Sequence, residues 1–243
     1  MTDQQVAVTD EDGVRHIRLP GGALTPAVAR ALTRTAEDVV EDRSVRAVVL
    51  QTAGPDFCPG AAPDLDPLTP GLDPTPALAR IRVPVLALLT GTVASLGLEI
   101  ALTADLRLAT PDLRCSMPDV PAGRLPCWGG TQRLPRVVGP AQALRLLLLG
   151  VVVDAGEARR IGLVHEVVAD PVARAGEVLS LWAGRGPLAL EYAKEAVLDG
   201  AELPVREGLA LEADLNTLLQ VSADRAEGID AFLTKRDPRF TGR

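Results

Sequence analysis

The strongest constraint on the fold is an apolar run that ends in a glycine turn and continues into a short helical pattern. Residues 83–89 are almost entirely apolar, which predicts a buried strand. After Gly91, the stretch from Leu96 to Ala104 has few helix-breaking residues and predicts a helix, with Ser95 as its N-cap. A strand followed so closely by a helix favours a mixed α/β architecture.

Two acidic residues lie within and after this predicted helix. Glu99 falls about one turn along it, beside the first amides, which lack internal partners and lie at the positive end of the helix dipole. An amide near Leu96 is therefore suited to bind a developing negative charge. If the chain brings Asp119 opposite Glu99, the two carboxylates can act as acid and base. Three alternatives stay open here: a Glu99 carboxylate exposed to water, an ion pair of Glu99 with Arg107, and a simple turn at Asp119.

Length and charge restrict the classes of function. With 243 residues the chain can form one sizeable core, or one domain with a small appendage. A net charge of −7 argues against nucleic acid and against an anionic membrane surface as partners. No apolar run approaches the length of a membrane span, and no leader pattern is visible at the N-terminus. We therefore expect a cytoplasmic protein that binds neither nucleic acid nor membrane.

The cysteines and histidines do not indicate a metal site or a disulfide scaffold. Three cysteines are an odd number and lack metal-type spacing, and the two histidines are far apart in the sequence. We therefore expect no metal ion.

The remaining segments show strand, helix and loop patterns in turn. A hairpin is predicted over residues 5–19 around Asp12-Gly13, and a β-branched run predicts a strand over residues 45–52. The proline-rich stretch 59–76 predicts a loop. Helices are predicted at residues 27–41, 141–149, 155–161, 171–184, 187–198, 205–220 and 224–234.

A series of motifs follows one another in a fixed order. The glycine turn leads into Glu99-Ile100-Ala101, and Ala104-Asp105-Leu106-Arg107 comes next. From Asp119 through Gly123 and Pro126 to Leu134 the spacing is continuous, and further motifs lie at residues 57–62, 162–168 and 227–240. Together these motifs resemble the enoyl-CoA hydratase/isomerase (crotonase) family.

The resemblance implies an α/β fold, namely a crotonase-like spiral of repeated β-β-α units with a helical C-terminal region. It implies a spiral core domain over residues 1–187 and a helical trimerisation region over residues 188–243. Because the family usually forms trimers or pairs of trimers, we expect a homotrimer or a dimer of trimers.

The resemblance also implies a site for an acyl-CoA thioester. The amides of Ala61 and Leu96 map onto the two donors of an oxyanion hole, and Glu99 and Asp119 map onto the two acidic catalytic residues. Further substrate-binding positions are implied at Ala23, Leu24, Gly60, Ala62, Asp64, Gly123, Trp128 and Lys235. No separate cofactor is expected, because coenzyme A is part of the substrate.

The activity that the resemblance implies is hydration of the 2,3 double bond of an enoyl-CoA through an oxyanion-stabilised enolate. An enoyl-CoA isomerase that uses one carboxylate is one alternative, and a catalytically weak acyl-CoA-binding paralogue is another. The second alternative is motivated by departures from the family's pattern at Ala62, Leu96, Asp119 and Cys127-Trp128. A serine hydrolase is disfavoured, because the sequence around Ser95 lacks the first glycine of a nucleophile elbow.

Overall fold

The computed structural model describes residues 5–243, and within them the chain forms nine strands and nine helices. The strands are β1 (Ala7–Glu11), β2 (Val14–Leu19), β3 (Ala47–Thr52), β4 (Val85–Leu89), β5 (Thr92–Ala94), β6 (Leu106–Ala109), β7 (Arg114–Ser116), β8 (Val153–Asp154) and β9 (Glu166–Val167). The helices are α1 (Pro26–Glu41), α2 (Thr75–Ala79), α3 (Leu96–Ala101), α4 (Gly130–Leu149), α5 (Ala155–Arg160), α6 (Pro171–Ala183), α7 (Pro187–Gly200), α8 (Val205–Gln220) and α9 (Ala223–Thr234). The predicted mixed α/β composition is confirmed.

The strands form two sheets. The larger sheet has the order β1-β2-β3-β4-β6-β9, and all its pairs are parallel except β1 with β2. The smaller sheet has the order β5-β7-β8. All five residues of β4 are buried, which is typical of a strand covered on both faces and confirms the predicted buried strand.

The hairpin at the start of the described chain is also confirmed. β1 and β2 pair antiparallel with Glu11 opposite Val14. The two turn residues between them, Asp12 and Gly13, have φ of 48° and 79°. Positive φ at both positions is the geometry of a type I′ turn, whose twist matches that of the flanking strands.

The helix predicted over residues 96–104 ends earlier, at Ala101. Thr103 N–H donates to Ile100 O at 3.0 Å, so the last turn tightens instead of continuing. Asp105 is then bound to the first residue of β4. Its amide donates to Val85 O at 2.9 Å, and its carboxylate accepts from Val85 N–H at 2.7 Å. This tertiary pairing, which local sequence does not reveal, overrides the helical pattern.

The helix predicted over residues 141–149 proves to be the second half of α4, which begins at Gly130. Gly139 has φ 76° and ψ 156° and kinks the helix just before Pro140. The first half was missed because two glycines at its start and Pro135 inside it argue against a helix on local grounds.

The described residues form two compact units. The first contains both sheets and extends to Ala175, apart from Arg82–Pro84. The second comprises Arg82–Pro84 and Gly176–Arg243 and is mainly helical. In the second unit the buried Asp224 accepts hydrogen bonds from the amides of Thr241 and Gly242, which fixes the C-terminal residues to α9. The predicted domain ranges and the role of residues 188–243 in trimerisation stay predictions.

Candidate active site

The start of α3 is held against a neighbouring extended segment by a glycine contact. A Cβ added to Gly97 would meet the carbonyl oxygen of Cys58 and lie 2.6 Å from Cys58 Cβ. Cys58 itself pairs with β5, because its amide donates to Thr92 O at 3.2 Å and its carbonyl accepts from Ala94 N–H at 3.0 Å. Only a residue without a side chain permits this approach. Gly97 therefore sets how closely the segment after Cys58 lies to α3.

The contact between Gly97 and Cys58 has the backbone amide of Ala61 on one side and that of Leu96 on the other. Leu24 N–H donates to Gly60 O at 2.7 Å, and Leu24 O accepts from Ala62 N–H at 2.8 Å. The Ala61 N–H belongs to the same trans peptide group as the Gly60 carbonyl, and the two point in opposite directions, so this N–H points away from Leu24. Within residues 5–243, neither this amide nor that of Leu96, the first residue of α3, donates to a backbone or side-chain acceptor. The two amides are therefore available to a ligand.

Glu99 lies on the buried side of α3, with no exposed surface. Its Oε1 accepts from the amides of Trp128 at 2.8 Å and Gly130 at 2.7 Å. Burial raises the pKa of Glu99 from its ordinary 4.5 to about 7; the two amides oppose this shift, and the charge of Asp119 adds to it. A carboxyl with a pKa near neutrality is suited to exchange protons with a substrate.

The alternative of an ion pair between Glu99 and Arg107 is wrong. Arg107 is also buried, but its Nε donates to Leu163 O at 2.7 Å and its Nη1 to Ala104 O at 2.6 Å. Desolvation accordingly lowers the pKa of Arg107 to about 10. The guanidinium of Arg107 binds backbone carbonyls, one of them just after α3, and Glu99 is bound by the amides of Trp128 and Gly130 instead.

Asp119 lies in the turn that follows β7 and is nearly fully buried. Its Oδ1 accepts from Ser95 Oγ at 2.7 Å, and Arg124 Nη2 lies 3.8 Å from the same oxygen. Asp119 O also accepts from the amide of Arg124 at 2.8 Å, so the residue takes part in a turn as well as in a side-chain contact. The alternative of a simple turn at Asp119 is therefore compatible with a role of its side chain in the site.

The two carboxylates share an unusual feature. Glu99 Oε2 and Asp119 Oδ2 are buried and have no hydrogen-bond partner in the described part of the chain, and Thr90 Oγ1 is the third such side-chain atom there. A buried polar atom without a partner is unfavourable, and such atoms are rare unless a ligand or water completes them. Each carboxyl thus has one oxygen held by the protein and one oxygen without a hydrogen-bond partner in the described part of the chain.

Trp128 connects Glu99 to the proline-rich segment 59–76, which ends in the first turn of α2. Its amide holds Glu99, and its carbonyl accepts from Thr75 Oγ1 at 3.0 Å and from Arg133 Nη1 at 2.9 Å. Its indole Nε1 donates to Pro67 O at 2.9 Å, and the ring is buried. Trp128 therefore has a structural role, and its predicted role in substrate binding stays a prediction.

We expect Trp128→Phe to lower the free energy of unfolding by about 2 to 4 kcal/mol, because it leaves a void and an unpaired carbonyl on Pro67. Urea unfolding measures this change. The other tryptophan, Trp182 in α6, is partly exposed, and Trp182→Phe as a matched control is expected to cost less than about 1 kcal/mol. Equal losses in the two variants would contradict the role given to Trp128.

The other predicted substrate-binding residues fall into two groups. Ala23, Leu24, Gly60 and Ala62 lie together through the bridge between Leu24 and Ala61, and the first two line a narrow cleft with Phe57. Outside this group, Asp64 and Gly123 are exposed in loops of the first unit, and Lys235 is the C-cap of α9 in the second unit.

Sequence reasoning missed two contributors to the site. Ser95 was expected to cap α3, yet its hydroxyl makes no cap bond and donates to Asp119 instead. The second is the amide of Gly130, which donates to Glu99, 31 residues earlier in the chain. A glycine pair at the start of a helix is a signal for exposed amides, but it does not identify a partner so far away.

The described residues contain no group of three or more His, Cys, Asp or Glu side chains arranged to hold a metal ion. Over the same residues, none of the helices combines the length and the apolar character needed to cross a membrane.

Comparison with known proteins adds independent observations. The sequence profile described as enoyl-CoA hydratase/isomerase matches residues 10–243. The 2,3-dehydroadipyl-CoA hydratase of Escherichia coli (strain K12) is 36% identical over 233 residues, which cover 91% of this chain and 91% of that protein. The crotonyl-CoA hydratase of Syntrophomonas wolfei is 38% identical over 169 residues, which cover 67% of this chain and 64% of that protein.

Solved structures agree with the sequence comparison. A crystal structure described as an enoyl-CoA hydratase subunit from Geobacillus kaustophilus HTA426 superposes with a TM-score of 0.90 at 32% identity, covering 98% of each chain. An enoyl-CoA hydratase from Bacillus anthracis gives a TM-score of 0.91 at 28% identity, covering 98% of this chain and 99% of that one. The predicted crotonase-like fold is confirmed.

Proposed function

Because the chain belongs to the enoyl-CoA hydratase/isomerase family, we propose that it is an enoyl-CoA hydratase, which adds water across the 2,3 double bond of an acyl-CoA thioester. The observation that carries the proposal is the pair of buried carboxylates, each with one anchored oxygen and one unpartnered oxygen. Two separate acidic groups suit a reaction that moves one proton from water and one proton to carbon.

In the proposed mechanism, the thioester carbonyl accepts hydrogen bonds from the amides of Ala61 and Leu96. Each donor aimed at developing negative charge is worth roughly 3 kcal/mol in the transition state. The tight contact between Gly97 and Cys58 supports this assignment, since it joins the two segments that carry the donors. Polarising the carbonyl makes C3 electrophilic and stabilises the enolate that forms on addition.

Glu99 is proposed as the base. Its unpartnered Oε2 takes a proton from water while the water oxygen bonds to C3, and the pair of electrons of the double bond moves into the enolate. A pKa of about 7 supports this role, because a substantial fraction is ionised at neutral pH while the carboxylate remains basic. The proton that bonds to C2 either comes from the Oδ2 of a protonated Asp119, which then regains a proton from Glu99, or passes from Glu99 to C2 while Asp119 orients it; in both cases the two residues return to their starting state.

The wider features of the proposal rest on the resemblance. Coenzyme A would be part of the substrate, and the proposed binding residues in the first unit are Ala23, Leu24, Gly60, Ala62, Asp64, Gly123 and Trp128. Lys235, in the second unit, is a separate proposal for substrate binding. A homotrimer or dimer of trimers and a cytoplasmic location belong to the same proposal. Large exposed apolar side chains in the second unit, such as Val205, Val221 and Phe232, support an assembly.

We expect the purified protein to remove the conjugated absorbance of a 2-enoyl-CoA at a rate proportional to enzyme concentration. Product analysis by mass spectrometry should show a gain of one water. Appearance of conjugated absorbance from a 3-enoyl-CoA, without loss from the 2-enoyl-CoA, would instead establish an isomerase. Tight acyl-CoA binding without turnover over a range of chain lengths would establish the weak paralogue and overturn the hydratase proposal.

A further inference from the structure

Ser95 has a strained backbone that its position in the fold does not explain. Its φ is 47° and its ψ −121°, a region that residues with a side chain rarely adopt. The other non-glycine residues with positive φ within residues 5–243 are Asp12 and Lys235. Asp12 lies in a hairpin turn and Lys235 at a helix C-cap, where positive φ is common. Ser95 lies in neither setting, and strain of this kind concentrates at functional sites.

The side chain of Ser95 is used for one contact. It occupies the N-cap position of α3, yet its hydroxyl donates to Asp119 Oδ1 at 2.7 Å instead of accepting from a helix amide. This length is in the usual range for a well-formed hydrogen bond from a hydroxyl. The amide of Ser95 also donates to Ser116 O at 3.2 Å, at the end of β7 and shortly before Asp119. Glycine would adopt this backbone without strain, but it would bring no hydroxyl.

The Ser95 hydroxyl makes a short, partly buried hydrogen bond to Asp119 Oδ1. The second polar group near that oxygen, Arg124 Nη2, lies 3.8 Å away on a side chain that is 60% exposed, so its hold on the carboxylate is weak. The other oxygen, Oδ2, is buried and has no partner in the described chain. With one oxygen tied to Ser95, the orientation of the carboxyl plane, and hence the direction of Oδ2, is fixed.

We infer that Ser95 is a positioning residue, which holds the Asp119 carboxylate so that Oδ2 is directed at C2 of the bound enoyl thioester. The inference rests on the proposed hydratase function. The strained backbone persists at this position because the hydroxyl orients an acidic group whose side chain is too short to tolerate a change of rotamer. A misplacement on the order of 1 Å lowers a rate about a hundredfold.

Two substitutions of Ser95 distinguish an effect on the stability of the fold from an effect on the rate of hydration. Ser95→Gly removes both the hydroxyl and the strain, so we expect unfolding in urea at a denaturant concentration equal to or above that of the wild type. We expect kcat for 2-enoyl-CoA hydration to fall about 10- to 100-fold with KM nearly unchanged. Ser95→Ala, which keeps the strain, should show the same loss of kcat without the gain in stability. The matched control is Ser180→Ala on the exposed face of α6, which should leave kcat unchanged.

A double-mutant cycle tests whether Ser95 acts through Asp119. In an Asp119→Asn background, with enough enzyme to resolve its residual rate, Ser95→Gly should change kcat by less than about twofold. An undiminished loss in that background, or a wild-type kcat in Ser95→Gly alone, would overturn the inference and leave the hydratase proposal standing. A wild-type protein that hydrates no 2-enoyl-CoA would overturn both.

Discussion

Replacing Glu99 by glutamine is expected to lower kcat for hydration about 10²- to 10⁴-fold, the range lost when a general base is removed. The side-chain amide of the variant would keep an oxygen in the place of Oε1, where it accepts from the amides of Trp128 and Gly130, so the pocket should retain its shape. Binding of a saturated acyl-CoA, measured by calorimetry, should therefore change little.

The pH dependence of the rate gives a second test. The wild-type kcat/KM should rise with pH through about 7, as Glu99 becomes ionised, and the residual rate of the variant should not show this rise.

The same substitution should change how stability depends on pH. Because the folded pKa of Glu99 is about 7 against an ordinary 4.5, the folded state favours the protonated form. That contribution is fully present below pH 4.5 and is lost as the pH rises through 7. Glu99→Gln cannot ionise, so from pH 4.5 to 8 it should gain roughly 3 kcal/mol relative to the wild type. Urea unfolding at the two pH values measures the difference.

Glu212→Gln, at an exposed position of α8, is the matched control and should change neither kcat nor the pH dependence of stability. An unchanged kcat in Glu99→Gln would eliminate Glu99 as the base. A stability difference that does not vary with pH would mean that the buried carboxyl keeps an ordinary pKa.

The two carboxylates illustrate how the sequence leads to a candidate site, while their catalytic roles stay predictions. Glu99 and Asp119 were identified because they fall within a continuous series of motifs, and the family's fold brings these motifs together. Local pattern also located the buried strand β4 and the hairpin between β1 and β2, since both depend on short-range apolar and turn signals. Without the resemblance, these elements would have indicated an α/β chain but not its topology.

What the sequence did not reveal depends on contacts between distant residues. Capping is the usual role of a serine before a helix, and nothing local indicated that Ser95 would bind Asp119, 24 residues later. The end of α3 was placed too late because the pairing of Asp105 with β4 decides it. The first half of α4 was missed because it begins with Gly130, whose amide donates to Glu99 but whose residue type is unfavourable in a helix. In each case a tertiary partner overrides a local preference.

Gly97→Ala is expected to disrupt the site as severely as the loss of the base. The added Cβ would meet the carbonyl oxygen of Cys58 and lie 3.0 Å from its carbonyl carbon, and backbone atoms cannot rotate away as a side chain can. The start of α3 would have to separate from the segment after Cys58. Ala61 and Leu96 lie on the two sides of this contact, so the spacing of the two proposed oxyanion donors would widen. We expect kcat to fall about a hundredfold or more and the free energy of unfolding to drop by about 3 kcal/mol.

Gly176→Ala provides the contrast, because Gly176 lies in the exposed part of α6 and no atom lies within 4 Å of an added Cβ. There the substitution should raise the free energy of unfolding by roughly 0.5 to 1 kcal/mol through helix propensity and leave kcat unchanged. If Gly97→Ala behaved in the same way, the contact with Cys58 would not control the geometry of the site. A Gly97→Ala protein that loses stability but keeps its kcat would show that the reaction does not depend on the spacing of the two amides. Donors in an oxyanion hole stabilise the transition state only at short and well-directed distances. That result would therefore rule out an oxyanion hole built from Ala61 and Leu96.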